Sequence, residues 1–166
     1  MKLENDKKLR RAEVVLIDES ESVGIYSILK DGEENSEFEN FLLAHMDSHP
    51  EDIGILIARI NRLKDAGCFE RHFRREGKVR DRVFALPSHL DHLKLRLYCI
   101  VISENIIIFG NGGEKNTTTY NEDPCLNAFV KTLQKIDGKI IKRQNNSDII
   151  IEGKELKGNL SFQYME

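Results

Sequence analysis

The sequence contains few of the features that mark secreted, membrane or disulfide-rich proteins. Its three cysteines, Cys68, Cys99 and Cys125, are odd in number and widely spaced, which suits a reducing compartment rather than a disulfide framework. Residues 1–11 are charged and lack the apolar core of a signal peptide. Apolar runs such as 106–109 are far too short to cross a bilayer. These absences predict a cytoplasmic protein that does not span a membrane.

The length and composition predict one folded domain. The chain has 166 residues, which is enough for a hydrophobic core that needs no covalent staples. Hydrophobic residues make up 40% and charged residues 32% of the sequence, so both a core and a solvated surface are available. We therefore expect a single domain over residues 1–166.

The net charge of -3 conceals a strong asymmetry along the chain. Residues 59–96 contain 11 Lys and Arg against 5 Asp and Glu, a local charge of +6, whereas the remainder carries -9. A basic segment in an acidic protein can steer a polyanion to one face. The same charges also fit a basic helix that faces solvent or pairs with the acidic first third of the chain.

Apolar periodicity predicts a β(β)αα–β–ββ–α–ββ order of elements. The predicted strands are 13–17, 23–29, 79–86, 93–102, 105–109, 140–143 and 149–152, and residues 158–164 are a further candidate. The predicted helices are 37–49, with Ser36 as N-cap, then 50–66, and a short one from Asp123 to Gly138. Residues 1–12 are expected to be frayed or helical. The order predicts an α+β fold with an antiparallel or mixed sheet of about four to six strands. Two N-terminal helices pack on one face, and a short helix follows the central hairpin.

The middle of the chain resembles a known family. The stretch KLRLYCIVISENIIIFGNGGEKNTTTYNEDPCLNAF opens an apolar strand with Arg96, turns, runs through a second apolar strand, and continues into a loop with Lys115 and a helix with Ala128. A basic strand over 80–86 precedes it. This pattern is similar to that of the RelE/HigB/ParE superfamily of toxin-antitoxin toxins, in particular its phage-derived HigB-like members. The resemblance covers 37–136 and leaves 139–166 as a C-terminal β extension.

The resemblance implies a type II toxin that cleaves mRNA on the ribosome as a metal-independent endoribonuclease, neutralised by a cognate antitoxin. In that reaction a ribose 2′-OH attacks the adjacent phosphate, which requires a base, an acid and cations around the phosphorane. Arginine suits the last role because its planar fork binds phosphate oxygens bidentately. Arg82 and Arg96 are accordingly expected to stabilise the phosphate, and Lys115 and Tyr120 to act as electrostatic or acid–base groups. The other interpretations are a strand-end role for Arg96 and a packing role for Tyr120.

A short basic segment with interleaved aromatic residues is the candidate RNA-binding surface. The expected RNA-binding residues are Arg71, Arg74, Arg75, Lys78 and Arg80. A solvated turn with two buried phenylalanines, or a surface for an acidic partner, would have the same composition.

Three histidines and a cysteine in the same part of the chain are candidates for acid–base or metal chemistry. His72, His89 and His92 have side chains whose pKa suits acid–base work, although loop histidines are most often solvated. Together with Cys68 they could supply zinc ligands, but no Cys-x-x-Cys accompanies them. The sequence therefore predicts no metal site and no cofactor.

A second class of function remains open from the sequence. The chain is acidic, its loop carries a single lysine, and Ala-Leu-Pro stands where the family usually has Glu-Leu-Arg. These departures favour a catalytically inactive protein-binding module of the same fold, or a ParE-like topoisomerase inhibitor.

Overall fold

A computed structural model describes residues 8–76, 81–88, 92–116 and 123–166. The strands are β1 (Leu9–Glu19), β2 (Gly24–Lys30), β3 (Arg74–Arg75), β4 (Val83–Leu86), β5 (Leu95–Ser103), β6 (Ile106–Glu114), β7 (Ile149–Glu152), β8 (Glu155–Gly158) and β9 (Ser161–Met165). The helices are α1 (Glu37–His45), α2 (Pro50–Ala66) and α3 (Pro124–Asn145), with a short 3₁₀ turn at Glu70–His72. Among the described residues, no helix is both long enough and apolar enough to span a membrane.

The described strands form one large mixed sheet and one small hairpin. The large sheet has seven strands in the order β3-β4-β5-β6-β2-β1-β9, and β7 and β8 pair separately. β2 runs parallel to β6, and the other neighbours are antiparallel. The large sheet therefore has a single parallel pairing near its centre, with antiparallel pairs on either side of it.

Helices cover both faces of the sheet. Alternate side chains of β5 point to opposite faces, so Leu97 and Cys99 pack with α1 and α2, whereas Tyr98 and Ile100 pack with α3. The β7–β8 hairpin adds Ile149 and Leu156 to the α3 face, whereas its Ile150 and Ile151 are exposed. Because both faces are covered, the central strands are apolar at almost every position, as is typical of strands buried on two sides.

The α+β class and the mostly antiparallel sheet are confirmed, but the finer predicted arrangement is wrong. The sheet has seven strands instead of four to six, and the helix after the hairpin has 22 residues and lies on the face opposite α1 and α2. The expected frayed or helical start is also wrong, since β1 begins at Leu9. Its first five residues pair with β9, a partner about 150 positions away that no local pattern reveals.

The predicted strand 140–143 is wrong because α3 continues through it to Asn145. Asp123 caps α3 by accepting hydrogen bonds from the backbone N–H groups of Cys125 and Leu126, and Pro124 occupies its first position, as the sequence predicted. Ile136 and Ile140 lie one turn apart on the buried stripe. Gly138 points to solvent within this helix and does not terminate it.

Replacement of Gly138 by alanine tests the length of α3. A Cβ atom at Gly138 meets nothing within 4 Å, so we expect Gly138→Ala to raise the free energy of unfolding by about 0.5–1 kcal/mol, the helix-propensity difference. Urea unfolding followed by circular dichroism measures the change. Gly158→Ala is the contrasting variant, because φ is +119° there and the new Cβ would lie 2.0 Å from the Asp148 carbonyl oxygen. A destabilised Gly138→Ala protein would instead place the helix end at residue 138.

Candidate functional site

A cluster of charged side chains lies on the α3 face of the sheet, next to the β3 edge. Arg74 of β3 is paired with Ala85 of β4, which is paired with Tyr98 of β5. Residues two apart on a strand share a face, so Arg96 lies on the same face as Tyr98. Glu76 stands in the same relation to Arg74, and its backbone N–H donates to the Val83 carbonyl oxygen at 3.2 Å.

Lys115 joins this cluster from the end of β6. Its backbone N–H donates to the Lys94 carbonyl oxygen at 2.8 Å, which extends the β5–β6 ladder by one bond. Burial lowers the pKa of Lys115, while the negative charge of Glu76 raises it and Arg74 and Arg96 lower it. Lys115, Glu76, Arg74 and Arg96 are therefore close enough to interact electrostatically.

Glu76 is the buried centre of the cluster. Its side chain is 5% exposed, and its Oε1 atom lies 3.3 Å from Nε of Arg74. Burial raises the pKa of Glu76, and the positive charges of Lys115, Arg74 and Arg96 offset part of that rise. A carboxyl group held in this balance accepts a proton more readily than an exposed glutamate does.

Arg96 and Tyr98 are the members of the cluster on β5. Nη1 of Arg96 donates to the carbonyl oxygens of Leu93 at 2.6 Å and Leu95 at 2.9 Å, which fixes the position of the guanidinium. Its Nε is buried without a hydrogen-bond partner among the described residues. Tyr98 is fully buried, and burial raises the pKa of its phenol, with the charge of Glu76 acting in the same direction.

The cluster contains the kinds of groups that bind and polarise a phosphodiester. Arg74, Arg96 and Lys115 supply three cationic groups, and arginine in particular matches the geometry of phosphate oxygens. Glu76 supplies a carboxyl group whose pKa is shifted toward neutrality, as a general base requires. Glu76, Lys115 and Tyr98, whose pKa values are shifted, lie together here, so the cluster is the candidate functional site.

The structure brings together only some of the residues predicted from the sequence. Arg96 and Lys115 meet as expected, and Arg74 joins them. Arg71 and Arg75 do not, because their guanidinium groups lie over the rings of Phe69 and Phe84 at 4.7 Å and 4.8 Å. Three predicted residues, Tyr120, Lys78 and Arg80, lie outside the described residues.

Arg82 contacts α3. Its Nε and Nη2 atoms lie 2.9 Å and 2.8 Å from Oδ1 of Asp137 on α3, and its backbone N–H donates to Oδ2 at 3.0 Å. The Asp137 side chain is 1% exposed, and Nη2 of Arg82 also donates to Gln144. Arg82 therefore ties the start of β4 to α3 and is not one of the clustered cations.

Of the three candidate histidines, His72 lies near arginines that do not belong to the cluster. His72 is at the end of the 3₁₀ turn, where burial lowers its pKa and the charges of Arg71, Arg62 and Arg59 lower it further. His92 is exposed, His89 lies outside the described residues, and burial raises the pKa of Cys68 to about 12. Within the described ranges, no group of three or more His, Cys, Asp or Glu side chains is arranged to hold a metal ion.

Two residues of the cluster, Glu76 and Tyr98, were not predicted from the sequence. The sequence feature that could have indicated them is spacing. Glu76 follows Arg74 by two residues and Tyr98 follows Arg96 by two residues, and residues two apart on a strand share a face. Comparison of the chain with protein-family models, curated protein sequences and solved structures yields no significant match.

The raised pKa of Glu76 predicts a pH-dependent stability. The folded state binds the Glu76 proton more tightly than the unfolded state, so stability is fully present below the ordinary pKa of 4.5 and falls as pH rises through the raised value. Glu76→Gln removes this loss. We expect the variant to be more stable than the parent at pH 7, with the difference vanishing below pH 4.5.

Urea unfolding of both proteins across this pH range measures the effect. Glu70→Gln is the matched control, because the Glu70 side chain is 77% exposed. Its stability relative to the parent should not change with pH in this way. A variant that is less stable than the parent at pH 7 would mean that the Arg74 ion pair outweighs the burial of the carboxylate.

The Arg82–Asp137 pair predicts a large cost for its disruption. Asp137→Ala leaves the Arg82 guanidinium, whose side chain is only 24% exposed, without its carboxylate. We expect a loss of about 3 kcal/mol in the free energy of unfolding, measured by urea titration. Asp65→Ala changes an exposed residue of α2, so its free energy of unfolding should stay within about 0.5 kcal/mol of the parent value. Equal effects from both variants would contradict a structural role for the pair.

Proposed function

We propose that this chain is a cytoplasmic, RelE/HigB-like toxin of a type II toxin-antitoxin system that cleaves mRNA on the ribosome. The observation that carries the proposal is the convergence of Arg74, Arg96 and Lys115 around the buried carboxyl group of Glu76. The order of the described elements supports it, because α1 and α2 are followed by a basic strand, a hairpin and α3, as in the pattern on which the resemblance rests. A cognate antitoxin would be a protein that covers this cluster.

In the proposed reaction the Glu76 carboxylate accepts the proton of the ribose 2′-OH. The 2′ oxygen then attacks the adjacent phosphorus, and the bond from phosphorus to the 5′ oxygen breaks. Lys115, whose pKa is lowered by burial, donates a proton to that 5′ oxygen. Arg74 and Arg96 stabilise the negative charge that develops on the non-bridging oxygens. The products are a 2′,3′-cyclic phosphate and a 5′-hydroxyl end.

A catalytically inactive binding module is the second candidate, with ParE-like inhibition of a topoisomerase as one form of it. The observation that favours this candidate is the bonding of Arg96, whose Nη1 donors are already held by two backbone carbonyls. Such an arginine stabilises the start of β5 whether or not a substrate is present. The net charge of -3 is also unusual for a protein that binds RNA.

Tightly induced expression in a bacterial host separates the two functions. The nuclease proposal predicts growth arrest with new mRNA 5′ ends inside translated messages. Glu76→Gln and Lys115→Ala should each reduce cleavage by about 10²–10⁴, the usual contribution of a positioned acid or base. Cleavage is measured by mapping mRNA 5′ ends after induction.

Lys94→Ala is the matched control for Lys115→Ala, because Lys94 is exposed and its backbone pairs with Lys115. It should cleave like the parent, and circular dichroism should show that every variant is folded. Normal growth and intact messages with folded parent protein would overturn the nuclease proposal. Growth arrest with intact messages would point to the topoisomerase instead.

A further inference from the structure

An apolar groove lies on the face of the sheet that carries α1 and α2, away from the charged cluster on the α3 face. It has a volume of about 380 Å³ and runs between the two helices and the strands β1 and β2. Its apolar lining consists of Ile17, Ile25, Phe38, Leu42, Ile57 and Ile60. Ile57 is 41% exposed, a high value for a residue whose neighbours form a continuous apolar surface.

The polar lining of this groove is acidic. Asp18 and Glu39 are its charged lining residues, and neither Lys nor Arg is among the described residues that line it. Lys64 binds Asp18 at 2.7 Å, whereas the Glu39 carboxylate accepts a hydrogen bond from the Ser36 hydroxyl. Glu39 therefore leaves a negative charge beside the apolar floor.

The chain around the groove is strongly negative as well. Residues 13–64, which supply all of the described lining, contain twelve Asp and Glu and four Lys and Arg, a local charge of -8. A concave apolar surface in such surroundings attracts an apolar segment that carries positive charge and disfavours an acidic one. Two helices that flank a groove commonly receive an amphipathic helix, whose apolar face fills the groove.

We propose that this groove binds a basic amphipathic segment of a partner protein. The apolar side chains of the segment fill the space beside Ile57 and Phe38, and its Lys or Arg side chains face Glu39. The site is separate from the Arg74–Glu76–Arg96–Lys115 cluster, so the proposal does not depend on nuclease activity. A protein bound here leaves the α3 face accessible.

A synthetic peptide tests the proposal directly. The probe is a fluorescein-labelled peptide of about 15 residues, made of leucine and lysine with the leucines at helical spacing. Fluorescence anisotropy with the full chain should show saturable binding that weakens as salt increases. A peptide with the same leucine pattern and glutamate in place of lysine should bind at least about tenfold more weakly.

Two variants on α2 give a matched pair. Ile57 and Ile55 are 41% and 43% exposed, but only Ile57 is among the residues that line the groove. Ile57→Asn should weaken binding of the leucine–lysine peptide about tenfold or more, and Ile55→Asn should change it less than about twofold. Asn61→Lys is a second test that does not touch the core. It adds a positive charge to the rim and should weaken binding of the leucine–lysine peptide.

Three results would overturn the proposal. Equal effects of Ile57→Asn and Ile55→Asn would place binding outside the groove. Equal affinity for the leucine–glutamate peptide would remove the charge argument. Sedimentation as a dimer that Ile57→Asn converts to a monomer would identify a second copy of the chain as the occupant.

Discussion

The antiparallel pairing of β5 with β6 is the contact on which the rest of the structure depends. These strands supply core residues to both faces of the sheet, so α1, α2 and α3 all pack against them. The pairing contains an irregularity at Gly110 and Asn111, where two residues of β6 lie opposite Tyr98 alone. Beyond it the strands approach so closely that a Cβ atom at Gly112 would lie 1.9 Å from the Arg96 carbonyl oxygen. This approach sets Arg96 and Lys115 at the same end of the sheet.

The sequence predicts those parts of the fold that local patterns control. The central hairpin, the cap at Ser36 and the end of α2 at Gly67 follow from short-range spacing, and the structure contains each of them. The errors occur where a distant partner decides the conformation. Leu9 is in a strand because β9 pairs with it, and 140–143 is helical because Ile140 completes the buried stripe of α3. Neither contact can be predicted from the local secondary-structure propensities of these residues.

The candidate site was predictable to the extent that its residues lie on strands. Arg96 and Lys115 flank the hairpin, so any correct pairing of β5 with β6 brings them close. Glu76 was missed because its spacing from Arg74 indicates a shared face but does not show that its side chain is buried. The sequence also does not show that Asp137, 55 residues later, lies beside Arg82 and binds its guanidinium group.

Opposing effects on Glu76 connect the geometry of the cluster to its chemistry. Burial favours the neutral carboxyl group, whereas Lys115, Arg74 and Arg96 favour the carboxylate. A bound phosphate offsets the field of these cations, so the pKa of Glu76 rises further when an anion occupies the cluster. The same rise couples anion binding to proton uptake, since the occupied state holds the Glu76 proton more tightly than the empty one.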